Sequence, residues 1–388
     1  MFTENQAYRG EILAEEHGVV GDYNTNDTNA INDIVDTFRN FPNFGHPGFG
    51  GSLRFSSRHI GVGTLSLNNI NNLTVRGQYG GTLFRGVYQD DPAHHYPVID
   101  ALGSSNLLIE DCMVAGPDLP STGVTPSCGW LFGATNVKGS SNANEINRVA
   151  GYGAFTVGQV VMYNTCDSIV RFCRPDTAGT NVYSLVVTSS NGPFGLESKY
   201  VTIDPTGDFC GNIKVDGIGA KKIRLHGTSN MYFGAGSIDG LGEACVRMTG
   251  MNEHTTFMCT QFTSPSPLTK GVIHISDGSA YGLKLMGNFV NNVISPTIPL
   301  VYGELGVTLQ NPTILGLSPK DWGYNQATRL VKILAPSSGS GWVTIHEGMI
   351  DMASATVEPG GSVYHTKVFN RGTFIMPTHL TGVYDASQ

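Results

Sequence analysis

The chain has 388 residues, enough for one large domain or two ordinary ones. Gly contributes 50 of them, well above the roughly 7% of an average protein. Only 14% are charged, against roughly 25% usually, which excludes a coiled coil or long-helix protein. A hydrophobic fraction of 40% speaks against wholesale disorder, and a net charge of −8 without any Lys/Arg run gives no basic face for nucleic acid.

The first sixteen residues are polar and contain no apolar signal-peptide core. Residues 11–16 read as a short turn of helix. Thr28 to Phe38 reads as an amphipathic helix, because Asp27 or Thr28 offers an N-cap and Ile31, Ile34, Val35 and Phe38 recur at helical spacing. Pro42 closes it. No stretch of about 18 apolar residues exists that could insert in a membrane. Beyond about residue 50 the period changes to two. Leu73-Thr74-Val75, Leu107-Leu108-Ile109, Val201-Thr202-Ile203, Ile213-Lys214-Val215, Ile223-Arg224-Leu225, Leu283-Lys284-Leu285, Val331-Lys332-Ile333 and Val343-Thr344-Ile345 read as short strands. Gly, Asn, Asp and Ser clusters separate them, and no second helical segment supplies α/β crossovers. A solenoid fits best, since its open apolar end needs a cap such as the one helix. The seven cysteines, Cys112, Cys128, Cys166, Cys173, Cys210, Cys245 and Cys259, are odd in number and form no Cys-x-x-Cys pair. They read as buried thiols of a protein folded in a reducing cytosol.

Gly18-Val19-Val20-Gly21-Asp22 followed by Asn26-Asp27-Thr28-Asn29-Ala30-Ile31 resembles the opening of the pectate-lyase-superfamily β-helices common in phage tailspikes. This sequence departs from that opening in having Tyr23 where the family has Gly, and Asn26 for the first of a paired Asp. The match covers the first third of the chain. The resemblance implies an all-β fold, a right-handed parallel β-helix with a short N-terminal capping helix. Residues 1–45 would form the N-terminal segment and cap, 46–328 the β-helix, and 329–388 a C-terminal cap or subunit-contact region. It further implies a virion tailspike or tail fibre, made in the host cytoplasm, that recognises a bacterial surface polysaccharide with or without depolymerising it. Other virion tail proteins and two more copies in a homotrimer are the implied partners; no cofactor is implied. A non-catalytic structural or decorating virion protein and a free polysaccharide lyase or hydrolase are the alternatives. With a cap motif starting at residue 18, attachment to a particle is expected through the first residues, the flank or a partner protein.

Two rungs superpose at a constant offset of 34, placing Asn72 on Asn106, Val75 on Ile109, Arg76 on Glu110 and Gly77 on Asp111. Rungs lie about 4.8 Å apart, so Val75 and Ile109 should stack inward and Arg76 and Glu110 outward. That outward pair reads as a surface salt bridge or as a substrate-facing pair. Leu108, Val160 and Val161 fall outside the inward set, which motivates the trimer.

No zincin helix, nucleophile elbow or complete dinucleotide fingerprint is present, and no carboxylate cluster for a metal. The polar, aromatic insertion from Tyr88 to Tyr96 remains. Asp90 and Asp91 could supply an acid and a base, His95 a proton shuttle and Tyr96 a platform for a sugar ring, or the segment is a solvated Asx turn. Adjacent strand residues face opposite ways, so Asp91 with Glu110 is the favoured catalytic pair, and Tyr96 with Arg76 the favoured substrate-binding residues. The loops 204–208 and 253–254 are lesser candidates. Trp130, Trp322 and Trp342 read as core or subunit-contact residues, with sugar stacking as the other reading.

Overall fold

The computed structural model describes residues 11–40, 51–78, 81–89, 91–117, 124–135, 143–171, 173–175, 182–207, 210–264, 268–291 and 301–304, then isolated strands between 308 and 385. The chain divides into two compact units, Met1–Cys210 and Gly211–Gln388.

In the first unit the chain visits three parallel sheets in turn. Sheet A takes Glu11–Leu13, Ser52–Arg54, Thr74–Arg76, Leu108–Glu110, Glu145–Asn147 and Ile169–Arg171. Sheet B takes Asp22–Asn26, His59–Gly61, Thr82–Arg85, Cys112–Ala115, Ala150–Tyr152 and Arg174–Pro175. Sheet C takes Leu65–Ser66, Ile99–Leu102, Cys128–Gly133, Gly158–Tyr163 and Tyr183–Thr188. This is the right-handed parallel β-helix expected from the sequence. Each strand is short because it need only cross one face before the chain turns the corner. Ile12, Leu53, Val75, Ile109, Ile146 and Val170 stand in one inward column of sheet A, all buried. Inside the column Phe55 meets Phe84 edge-on at 5.0 Å, and Trp130 stacks on Phe132 at 6.0 Å. Trp130 is therefore a core residue; Trp322 and Trp342 lie outside the described residues.

The superposed rungs pair as expected, Thr74 with Leu108, Val75 with Ile109 and Arg76 with Glu110. Asn72 and Asn106 both take the left-handed conformation, with φ of 58° and 54°, which Asn tolerates better than other side chains at a corner.

Helix α1, Thr28–Asn40, buries Ile31, Ile34 and Val35 and packs on Leu65–Ser66 of sheet C. Asp27 precedes it and holds the entering loop, its carboxylate accepting from the Val20 and Gly21 N–H groups at 2.9 Å each. Tyr23, the departure from the family's Gly, keeps a glycine-like φ of 72° while Arg85 lies 4.1 Å over its ring. Residues 11–16 are not one helical turn: Glu11–Leu13 starts sheet A, and only Ala14–His17 coils, as a 3₁₀ helix.

Three further readings need correction. Val201-Thr202-Ile203 is not a strand but part of an irregular strap, because its apolar side chains pack down on the outer face of sheet C instead of pairing in a ladder. Val160 and Val161 are not left for a subunit contact: both are buried, Val160 in the inward set beside Trp130 and Val161 outside it, under that strap. Cys259 is exposed at a left-handed turn position, while the other six cysteines are buried and all seven are free.

In the second unit the chain again visits three parallel sheets in turn. One includes Gly211–Asp216, Ser229–Phe233, Thr256–Met258 and Lys284–Met286, and a second Gly236–Asp239, Thr260–Thr263 and Phe289–Asn291. The third runs Ile223–His226, Ala244–Thr249, Gly271–Ile275, Val301–Gly303 and Ile333–Leu334.

Candidate functional site

The insertion between sheets B and C leaves the wall after Arg85 and returns at Ile99. Its base is fixed from inside: the buried Gln89 amide donates to Thr64 Oγ1 at 3.1 Å and to the Pro97 carbonyl at 3.4 Å. Its tip is an Asx turn, with Asp91 Oδ1 accepting from the Ala93 N–H at 3.0 Å. Asp90 lies outside the described residues.

The tip brings His94, His95 and Tyr96 together with Glu197, a residue of the strap. Glu197 Oε2 accepts from the His95 N–H at 3.0 Å and lies 3.2 Å from His94 Nδ1. His95 Nδ1 lies 2.7 Å from the Thr125 carbonyl. Each acceptor assigns an Nδ1–H tautomer, so each neutral ring keeps Nε2 as an acceptor. The His94 and Tyr96 rings stack, centroids 5.1 Å apart at 15°. Desolvation, joined by the charges of Asp91 and Glu197, pushes the Tyr96 phenol above its ordinary value. Glu197 is thus bonded to His94, the stacking partner of Tyr96, and Asp91 turns the same loop.

The strap occupies residues 189–207 and explains how Glu197 arrives there. Leu196 joins Leu102, Leu131, Val161 and Val186 in a buried cluster on the outer face of sheet C. Ser198 Oγ donates to Asp100, and Asn68 donates to the same carboxylate at 2.6 Å. The Tyr200 hydroxyl donates to the Thr64 carbonyl at 2.8 Å and accepts from Asn32 of α1 at 3.2 Å. Glu197 sits between these anchors.

Glu110 and Arg76 are elsewhere. Arg76 Nε and Nη2 donate to Glu110 Oε2 at 3.0 and 2.8 Å on the outer face of sheet A. Asn147 donates to the other oxygen at 3.3 Å, and Arg148 grips Asp111 through two bonds of 2.7 and 2.8 Å. Arg148 holds the Asp111 carboxyl below its ordinary range. Asp91 is not joined to Glu110: a sheet B strand stands between the sheet A strand that carries Glu110 and the loop that carries Asp91. The carboxylate beside the Asp91 loop is Glu197. Sequence reasoning missed it because it is 102 residues from His95. The available signal was the long strand-poor stretch with Asn191-Gly192-Pro193 inside it, too long for a plain corner of a rung.

No family model matches the chain, and no curated protein matches it. Among solved structures it is similar to the A-module of a mannuronan C-5 epimerase from Azotobacter vinelandii, at 14% identity over 96% of this chain and 99% of that one, TM-score 0.48. A tailspike protein of an Acinetobacter phage matches at 12% identity over 99% of this chain and 61% of its own, TM-score 0.47. A polygalacturonase from Erwinia carotovora matches at 11% identity over 92% and 94%, TM-score 0.44. The likeness is one of fold.

Proposed function

We propose that this chain binds a bacterial surface polysaccharide through the loop of residues 88–96 and serves, as a homotrimer with other tail proteins, in a phage tail. The observation that carries the reading is the stacked His94–Tyr96 pair, with Glu197 bonded to His94 and Asp91 at the turn of the same loop, outside the solenoid wall. A pyranose presents an apolar C–H face to such a ring and hydroxyl donors to such carboxylates. The fixed base of the loop lowers the ordering cost of binding. Asp91 caps its own turn and Glu197 is engaged by His94 and His95, so both carboxylates hold the loop in shape. Recognition without cleavage is favoured.

The test is binding of the purified chain to immobilised capsular polysaccharide and lipopolysaccharide preparations, with reducing-end release and unsaturated-uronate absorbance followed in parallel. Tyr96→Ala and Glu197→Gln are expected to weaken binding about tenfold, as the loss of one stacking or charged contact does. Unchanged binding by both variants removes the loop as the site. Product release by the wild type, abolished in Glu197→Gln, would replace recognition by catalysis.

A further inference from the structure

The second unit carries a cluster of charged groups on the outer face of its third sheet. Arg224, Arg247, His274 and Tyr302 stand in one column, paired rung to rung. Glu243 and Lys270 enter from the turns before two of those strands, and Glu304 follows a third. Glu304 Oε1 accepts from His274 Nε2 at 2.9 Å and from Lys270 Nζ at 3.2 Å, while Lys270 Nζ lies 5.1 Å over the Tyr302 ring. Lys222 also faces this group, and burial and the Arg247 charge hold it below its ordinary value although Glu243 opposes them. Cations outnumber carboxylates here in a chain whose net charge is −8.

His274 is the unexplained member. Its side chain is only 3% exposed, yet its Nδ1 has no hydrogen-bond partner among the described residues. The group facing that nitrogen is Glu243, whose Oε2 lies 3.9 Å from Nδ1 and 3.8 Å from Arg247 Nη1. Both separations exceed a hydrogen bond, and the Glu243 side chain is half exposed. A carboxylate thus stands loosely at the mouth of a seat between an arginine and a buried imidazole, without closing on either.

We propose that this face binds a carboxylate-bearing saccharide, a uronic acid unit of an acidic glycan, whose carboxylate takes the place of the Glu243 side chain between Arg247 and His274. The size and charge of the placeholder define the ligand group as a carboxylate. The half-buried Tyr302 ring beside it offers an apolar surface to a pyranose. Arg247 and Lys270, each about one third exposed, receive the carboxylate as charge-assisted donors. Glu304 accepts from Nε2, so Nδ1 can donate to the ligand only when both ring nitrogens carry protons. Burial keeps His274 below its ordinary value in the free protein despite Glu304 and Glu243, so binding takes up a proton. The site is distinct from the loop of residues 88–96 and does not depend on it.

Isothermal titration of the full chain with galacturonate and mannuronate trisaccharides, maltotriose and poly-glutamate tests this. At least one uronate trisaccharide is expected to bind and maltotriose not to. Arg247→Gln and Lys270→Gln should each weaken binding about tenfold, the loss expected for one charge-assisted contact. Glu243→Gln should strengthen it about threefold by removing the internal competitor, an effect that a merely structural Glu243 would not give. Affinity should fall as pH rises from about 5.5 to about 8, with the His274 ring signals shifting on binding. Absence of uronate binding up to about 10 mM overturns the proposal. So do unchanged affinities in all three variants, or poly-glutamate binding as well as the trisaccharides.

Discussion

Ile109 and Glu110 are neighbours in one strand, yet their side chains meet opposite solvents. Ile109 is fully buried in the sheet A column between Val75 and Ile146, whereas Glu110 faces outward onto Arg76. Ile109→Asp would place a carboxylate in that column without a partner and should cost several kcal/mol, about 3 or more. Glu110→Ala removes an ion pair whose arginine is 45% and whose carboxylate 14% exposed, with the Asn147 bond, and should cost about 1 kcal/mol, well below Ile109→Asp. Urea denaturation of the two variants measures this, and equal midpoints would contradict the register. This part of the fold was legible because a 34-residue repeat carries the Asn, the apolar pair and the charge at matching positions. The next rung follows at 37 and the one after at 24, so the same superposition could not be extended by a fixed step.

At the scale of the element, the strap over residues 189–207 was illegible for a physical reason. Alternating apolar residues such as Val201 and Ile203 satisfy the strand pattern, but packing on the back of a finished sheet uses the same alternation without a ladder. What the strap covers includes Asp100, a carboxyl buried on the outer face of sheet C. Desolvation raises its pKa above the ordinary 3.8, opposed by the hydrogen bonds from Ser198, Asn68 and the Leu102 N–H. A native pKa above the unfolded one means the folded state binds more protons just above pH 3.8. Its contribution to stability therefore falls as pH rises through that window and stays low above the folded pKa. Asp100→Asn mimics the protonated form and keeps an acceptor for Asn68. It should be more stable than the wild type at neutral pH, with the difference vanishing toward pH 3.8. Urea midpoints of both proteins across this range are the measurement, and parallel profiles would show that Asp100 does not titrate under the strap. The strap also explains the site. Glu197 reaches the His94–Tyr96 loop only because Leu196 and Ser198 on either side of it are tied to sheet C. No local pattern in the sequence joins those two segments.

For the whole molecule, the question is what the solenoid does with its outer walls. Among the described residues the exposed large apolar side chains are Val20, Tyr152, Tyr200 and Met251, set singly along the chain, and Tyr200 is already bonded to Thr64 and Asn32. Single exposed apolar residues are ordinary on a monomer and demand no partner. Of the apolar residues first read as left over, Val160 and Val161 are buried within one chain, which leaves Leu108 half-buried on sheet A. Among the described residues, the wall that we propose for a trimer contact is the charged one around Leu108, where Arg54, Arg76 and Arg171 share an outward column with Glu110, and Glu145 stands beside Arg171. Such a contact is polar and should weaken with salt. The expected mass by light scattering at low ionic strength is about 124 kDa, three chains of 41.4 kDa, falling as salt is raised to about 1 M. Arg76→Glu, which reverses one charge of that column and leaves the buried column intact, should lower the trimer fraction with little change in urea midpoint. A mass of 41.4 kDa at micromolar concentration and low salt would make each chain act alone and leave the glycan binding proposed for the loop of residues 88–96 to single-site affinity.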